Sequence, residues 1–353
     1  MTSIDFLHDN PAVGASNSTI EVGELAVLQR GLRQLLHEAF PGKLAGYDRD
    51  SIIEIILGTI ERCRSDVSSL ERWIYLRVSH HDPVTYRHSI QRDIEPVITE
   101  LSSQFQINAW WWLRKQDTSG SAIRLRVAAS PSCTVSVEKA LTATLIERGY
   151  DVSSLYYEPE VRLFGGPGGI KIAHELFHRD SLFLARWAQC EEAPRYPIIP
   201  VGLSLAIMVY MTSAAGLDTF ERWDVFAQIS EMRPLPSGSD ASRRREYEEL
   251  ARKVTSAGPD AVFALYKGRQ GDILREYRAH LVALAGALSR AYFSGGIDCG
   301  LREFLVPVLI FHLNRAGISW TAQCSLAYEV AGEFRRILHK DVNRQAGGLH
   351  DAT

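Results

Sequence analysis

Apolar residues follow two different periods along this chain, and the switches between them divide it. Over residues 20–40, Val22, Leu25, Leu28, Leu32, Leu35, Leu36 and Phe40 recur at three and four, the spacing of one helix face, until Pro41-Gly42 stops it. Ser51 is placed to cap a second predicted helix through Ile52, Ile53, Ile56, Leu57 and Ile60. Together they read as a helical appendage over 19–67, behind a polar, aperiodic start (1–18) with the composition of a disordered terminus. From residue 71 the period becomes two: Glu71-Arg72-Trp73-Ile74-Tyr75-Leu76-Arg77-Val78 alternates as a strand does, and residues 107–113 and 122–129 repeat the pattern. A helix over 84–103 joins the first two strands, Gly120 lies in a hairpin, residues 136–149 form a helix closed by glycine, and residues 154–164 are extended. The order β-α-β-β-α-β is that of a split βαβ sheet, here over 68–166. Residues 167–340 carry the helical period, with breaks near 194–200, 233–240 and 294–296, and 341–353 read as a flexible tail. The fold class expected is α+β: a small antiparallel sheet unit packed on a larger helical unit, with a cleft between them as the place for a ligand.

Composition narrows the function without naming it. The chain has 353 residues, 46% hydrophobic and 23% charged, with 39 Lys+Arg against 42 Asp+Glu. That excludes collagen-like, coiled-coil and disordered classes. A net charge of −3 supplies no general field for a nucleic-acid backbone, so none is expected as a partner. The cysteines, Cys63, Cys133, Cys190, Cys299 and Cys324, are odd in number and far apart, with no zinc-site spacing, which fits a reducing cytoplasm. The N-terminus lacks the basic start and apolar run of a signal peptide. The most apolar stretch, residues 198–215, contains Pro200, Gly202, Ser204, Thr212 and Ser213 and reads as a buried core helix rather than a membrane span.

No Walker loop, nucleophile elbow or HExxH is present, and Gly165-Gly166-Pro167-Gly168-Gly169 does not follow the dinucleotide fingerprint. Three constellations remain. On the strand Ile123-Arg124-Leu125-Arg126-Val127, alternation sends Arg124 and Arg126 to one face about 7 Å apart, either a clamp for a carboxylate or a solvated sheet face. Tyr156-Tyr157-Glu158-Pro159-Glu160-Val161-Arg162-Leu163-Phe164 runs as a strand into the glycines, whose bareness lets a ligand approach, or simply makes a flexible turn. Phe311-His312-Leu313-Asn314-Arg315 ends an apolar helix with His312 and Arg315 on one face, as a proton donor and its partner or as a satisfied structural pair. His80-His81 stand in a turn before Asp82-Pro83, and His174 and His178 read as helix-surface residues without a third metal ligand. In Trp110-Trp111-Trp112 the rings must point to both sheet faces, so an indole such as Trp111 can face the cleft.

These constellations, in this order, resemble the C-terminal domain of lantibiotic dehydratases and the related stand-alone thiopeptide-type bacteriocin biosynthesis proteins. That family has an HLRLR-like strand, a YEPEVERYGG-like stretch, a helix with an FxxDS motif, and a helix ending in His with NR two residues later. The counterparts are Ile123-Arg124-Leu125-Arg126, residues 157–166, Phe177-His178-Arg179-Asp180-Ser181, and His312-Leu313-Asn314-Arg315. The likeness spans Arg72 to the C-terminal helix.

The resemblance implies three functions. Members that eliminate glutamate from glutamylated Ser/Thr use arginines of the first two motifs and the late histidine. Here Leu163 stands at the second motif's arginine and Arg162 one place earlier, which on a strand turns the guanidinium to the other face. A second branch comprises the thiopeptide pyridine synthases, which join two dehydroalanines of a modified precursor peptide in a formal [4+2] cycloaddition, with loss of water and leader peptide. That is the expectation adopted. Elimination of glutamate is the alternative, and a non-catalytic module that binds a leader peptide is the third. For the cyclase the candidates for proton work are His312, Tyr292, Ser289 and Glu158, with Ser289 and Tyr292 three apart on one face of the helix that ends at 294–296, and the candidates for substrate binding are Arg124, Arg126, Arg162, Tyr157, Trp111, Asp180 and Arg315. No metal or organic cofactor is implied. The partners are the precursor peptide and other enzymes of a thiopeptide pathway.

Overall fold

The computed structural model describes residues 73–117, 120–191, 196–238 and 241–348. The expected appendage and disordered start lie outside them. Four antiparallel strands form one sheet in the order β2-β3-β1-β4: β1 (Trp73–Ser79), β2 (Ile107–Asp117), β3 (Gly120–Ala129) and β4 (Asp151–Leu155). Strand β3 lies between β1 and β2, which is the split βαβ arrangement read from the sequence.

Alternation in β1 and β3 gives the sheet two unlike faces. Ile74, Leu76 and Val78 of β1 and Ile123, Leu125 and Val127 of β3 are buried on one side. On that side α1 (Pro83–Ser89), a π-helical turn (Ile90–Ile94) and α2 (Glu95–Gln104) link β1 to β2, and α3 (Thr134–Glu147) packs on β3 and β4. Asp82 starts α1 by accepting the Val84 and Thr85 amides, and His80 accepts the Asp82 amide in the turn before it. The opposite face carries Trp73, Tyr75 and Arg77 beside Arg126 and Arg124.

The rest is helical: α4 (Gly166–Ala188), α5 (Val201–Ala214), α6 (Thr219–Met232), α7 (Ala241–Ala257), α8 (Pro259–Phe263), α9 (Gly268–Phe293), α10 (Leu301–Ala316) and α11 (Trp320–Gly348). Helix α5 takes the most apolar stretch into the core, with Leu203 and Leu205, Ala206, Ile207, Met208 and Val209 all buried. Among the described residues no helix is long and apolar enough to cross a membrane. Helix α4 packs on β2, α9 and α10, so sheet and helices belong to one compact unit, Glu71–Thr353.

Two expectations need correction. The extended segment 154–164 ends as a strand at Leu155, and residues 161–165 form hydrogen-bonded turns, with Leu163 and Phe164 amides on the Glu160 carbonyl and the Gly166 amide on that of Val161. The expected tail over 341–353 is helical through Gly348, as the continuation of α11.

Candidate functional site

Arg124 and Arg126 share one sheet face, as alternation requires, and the register sets Arg77 opposite Arg124 and both Tyr75 and Trp111 opposite Arg126. Arg126 is only 8% exposed. Its guanidinium carbon lies 4.3 Å from the ring centroids of both Tyr75 and Trp111, and its Nη1 donates to the Arg124 carbonyl at 2.9 Å. The two rings offer their negative faces to the cation. Burial lowers the Arg126 pKa below the usual arginine range, partly offset by Tyr75 and Tyr157. Tyr157 closes this aromatic cluster and bonds through its hydroxyl to His174 Nε2 at 2.7 Å. Burial, then the nearby Arg126 charge, lowers His174 to about 4. The imidazole is therefore neutral at pH 7.

Trp111 is 2% exposed, wedged against Phe177 at 4.9 Å between ring centroids and against Trp73 at 6.3 Å. In this structure its ring packs inside the fold, not on the open face where the sequence reading set it. Trp110 and Trp112 stack on each other on the other face. His174 and His178 are likewise no helix-surface pair: His174 is buried under Tyr157, and His178 meets the Trp110 backbone with its Nδ1 3.1 Å from the carbonyl oxygen. Among the described residues no group of three His, Cys, Asp or Glu side chains is placed to hold a metal.

A second centre forms around Asp180 on α4. Its Oδ1 accepts from the Tyr277 hydroxyl at 2.8 Å and lies 2.8 Å from His312 Nδ1, while Oδ2 accepts from Arg315 Nε at 2.6 Å. On the other side of the ring, His312 Nε2 lies 2.9 Å from Ser204 Oγ. Burial alone would raise the carboxyl pKa, but the charges and hydrogen bonds of His312 and Arg315 outweigh it and hold Asp180 well below the carboxylate range. Burial and then Asp180 raise Tyr277 well above the usual tyrosine value.

Ser204, His312 and Asp180 thus share the hydrogen-bond order of a catalytic triad. The resemblance ends at access, since His312 is 1% exposed and Ser204, Asp180 and Arg315 are equally enclosed. In this structure His312 is enclosed as a core partner of Asp180 and Ser204 rather than set on an open cleft. The apolar run before His312 concealed this, because a histidine ending a buried helix reads the same way in sequence whether its ring meets solvent or a carboxylate. Tyr277 and Ser204 escaped notice because neither lies in a motif.

The predicted pair Ser289 and Tyr292 is brought together elsewhere. One turn apart near the end of α9, they line a cavity of about 390 Å³ with Phe293, Leu217, Leu301 and Arg302. The charged groups at its edge are engaged: Arg302 Nη1 donates to Asp224 at 2.7 Å, and Glu221 completes the capping box of α6. The hydroxyls of Ser289 and Tyr292 have no hydrogen-bond partner among the described residues, and Tyr292 is 40% exposed. The cavity therefore offers two neutral groups, each able to donate or accept a proton, beside the apolar Leu217, Leu301 and Phe293.

Glu158 and Arg162 are exposed on the turns after β4, and neither lines this cavity nor joins the Asp180 centre. The strand argument for a reversed arginine does not apply to Arg162 and Leu163, because residues 161–165 turn instead of alternating. The glycines have another reason. A Cβ on Gly168 would lie 2.3 Å from the Gly296 carbonyl oxygen, and one on Gly169 would lie 1.6 Å from that of Phe164. At Gly168 the chain's own loop between α9 and α10 makes the close approach, at Gly169 the turn before α4 does, and the Asp298 amide bonds to the Gly165 carbonyl at 2.9 Å. That loop leads from Phe293 to Leu301, so the glycine turn braces one rim of the Ser289 cavity.

Solved structures that share this architecture include the following three. The tRNA-dependent lantibiotic dehydratase MibB from Microbispora sp. 107891 aligns with a TM-score of 0.58 and 17% identity over 76% of this chain and 28% of MibB. TsrL aligns with a TM-score of 0.54 and 17% identity over 75% of this chain and 95% of TsrL. The pyridine synthase TbtD from thiomuracin biosynthesis aligns with a TM-score of 0.52 and 15% identity over 76% of this chain and 99% of TbtD. The chain thus spans less than a third of MibB. No curated protein sequence matches it. The family description "lantibiotic biosynthesis dehydratase C-term" matches residues 73–332, which cover the sheet, the glycine turn, Asp180, the hydroxyl cavity and the His312 helix. This chain belongs to the lantibiotic dehydratase C-terminal family.

Proposed function

We propose that this protein is a peptide-modifying cyclase of thiopeptide biosynthesis, which joins two dehydroalanines of one precursor peptide in a formal [4+2] cycloaddition. The observation that carries this reading is the cavity holding the unpartnered hydroxyls of Ser289 and Tyr292 beside Phe293. Family membership supports action on a ribosomally made peptide, and the fold aligned here spans nearly all of TbtD.

In such a reaction one amide takes part as its iminol, two ring bonds form, and loss of water and then of the leader as its amide leaves an aromatic pyridine. The reacting groups carry no net charge. What the site must supply is proximity and proton transfer. Holding two distant positions of one chain together removes much of the entropic barrier. A phenol and an alcohol one helical turn apart can pass a proton between amide oxygen and nitrogen and later assist departure of water and leader. Leu217, Leu301 and Phe293 offer apolar contacts to the peptide beside these hydroxyls.

A second reading, glutamate elimination, draws on Arg126 and Arg124 and on Arg77 opposite Arg124. Against it stands the enclosure of His312, which that chemistry would use as a base. Mass spectrometry separates the two. Incubation with a linear peptide bearing two dehydroalanines releases the leader and a smaller cyclic product if the protein is a cyclase. Loss of glutamate from a glutamylated peptide, with no cyclic product from the other, would establish the eliminase instead.

A further inference from the structure

A separate group of cations surrounds His88, where the end of β2 meets α1. Arg114 donates through Nη1 to the Tyr86 carbonyl at 3.3 Å and through Nη2 to that of Arg87 at 3.0 Å. Its guanidinium carbon lies 5.5 Å from the Tyr86 ring and 5.3 Å from the Tyr196 ring, and that of Arg87 lies 5.7 Å from Tyr196. Arg92, in the π-helical turn, is exposed, as is Arg87. The His88 pKa is lowered by burial first and then by Arg114, Arg92 and Arg87, with no acid offsetting them.

The acids nearby in sequence point elsewhere. Asp93 accepts the Tyr150 hydroxyl at 2.5 Å and pairs with Arg148, Glu95 accepts from Gln189 and Thr99, and Asp82 caps α1. Among the described residues Arg87 and Arg92 take part in no ion pair, and the buried Arg114 Nε and His88 Nδ1 have no hydrogen-bond partner. Arg87 and Arg114 share the Tyr196 ring with no acid paired to Arg87, and Arg92 lies one turn further along the same helical segment, so a ligand that brings negative charge relieves the repulsion between like charges. Arg87 lies over the Tyr196 ring and is exposed, and a guanidinium grips a carboxylate through forked hydrogen bonds.

We propose that Arg87, Arg92 and Arg114, with Tyr196 between two of them, form a docking site for an acidic peptide segment whose carboxylates are gripped by Arg87 and Arg92. This deepens the peptide-substrate reading and rests on it, assigning to the protein a second hold on the peptide apart from the Ser289 cavity. A nucleic acid fits less well. Guanidinium groups already occupy faces of Tyr86 and Tyr196 that bases would stack on, and three cations make a short track for a phosphate chain.

The test is fluorescence anisotropy with the full-length protein and two probes, fluorescein-labelled hexaglutamate and a labelled single-stranded DNA 12-mer. The charge reversal R87E/R92E changes two exposed side chains, and R243E/R245E on α7 serves as a matched control, with circular dichroism confirming that both variants fold. The expected result is hexaglutamate binding that weakens with added salt, falls at least tenfold in R87E/R92E and stays within twofold in the control. Absence of binding by the wild-type protein, equal weakening in both variants, or tighter binding of the 12-mer would overturn the proposal. Because the readout is equilibrium binding, failure of the cyclase reading would appear in product masses and leave this result intact.

Discussion

Ser289 and Tyr292 carry the proposed chemistry, and their side chains are not core packing. Tyr292→Phe and Ser289→Ala should therefore each lower kcat by about 100-fold or more, the range lost with one general acid or base, while urea unfolding stays near wild type. Turnover within twofold of wild type in both variants would remove them from the mechanism. Asp180 should behave in the opposite way. Asp180→Asn leaves Arg315 enclosed without its carboxylate, which costs about 3–5 kcal/mol of stability, measurable by urea titration. Normal stability in that variant would mean that the guanidinium has another counter-charge.

Titration adds a third expectation. His174 is depressed to about 4 against an ordinary value of 6.5, so between those values the unfolded chain binds a proton that the folded protein does not. Its contribution is present above pH 6.5 and lost as pH falls towards 4, on the order of 3 kcal/mol in full. Asp180 adds a second loss below the usual carboxylate range, since its folded pKa is also depressed. His174→Gln should flatten the stability profile between pH 6.5 and 4. An unchanged slope would place the titrating group elsewhere.

Elements were more legible in the sequence than side-chain surroundings. Strands β1, β2 and β3 and the helices between them follow from alternation and capping, because a half-buried sheet imposes its period on the residues that form it. The segment after β4 misled because Tyr156 to Phe164 has strand-like composition, whereas Pro159 and the need to enter α4 through Gly165 turn it. The glycines were visible, but their reason was not, since Gly296 lies 128 positions from Gly168 in sequence. Gly168→Ala should force the loop between α9 and α10 away by overpacking, at about 1–3 kcal/mol, and reduce turnover through the displaced cavity rim. Thermal unfolding and initial rates measure the two effects. A variant with wild-type stability and rate would show that the glycine turn does not brace the cavity.

At the scale of the whole molecule, family and fold class could be read from four ordered motifs, while the division of labour among their residues could not. Asp180, His312 and Arg315 of two motifs meet in an enclosed network, Arg126 of another sits among aromatic rings, and the open cavity belongs to Ser289 and Tyr292, which lie outside all four. Contact between helices distant in sequence decides which polar residues see solvent, and no local pattern records it. The measurement that tests the account most directly is mass analysis after incubating the purified protein with a synthetic precursor containing two dehydroalanines. The account predicts a free leader and a product lighter by the leader amide and one water. An intact linear peptide, together with conversion of a glutamylated one, would contradict it.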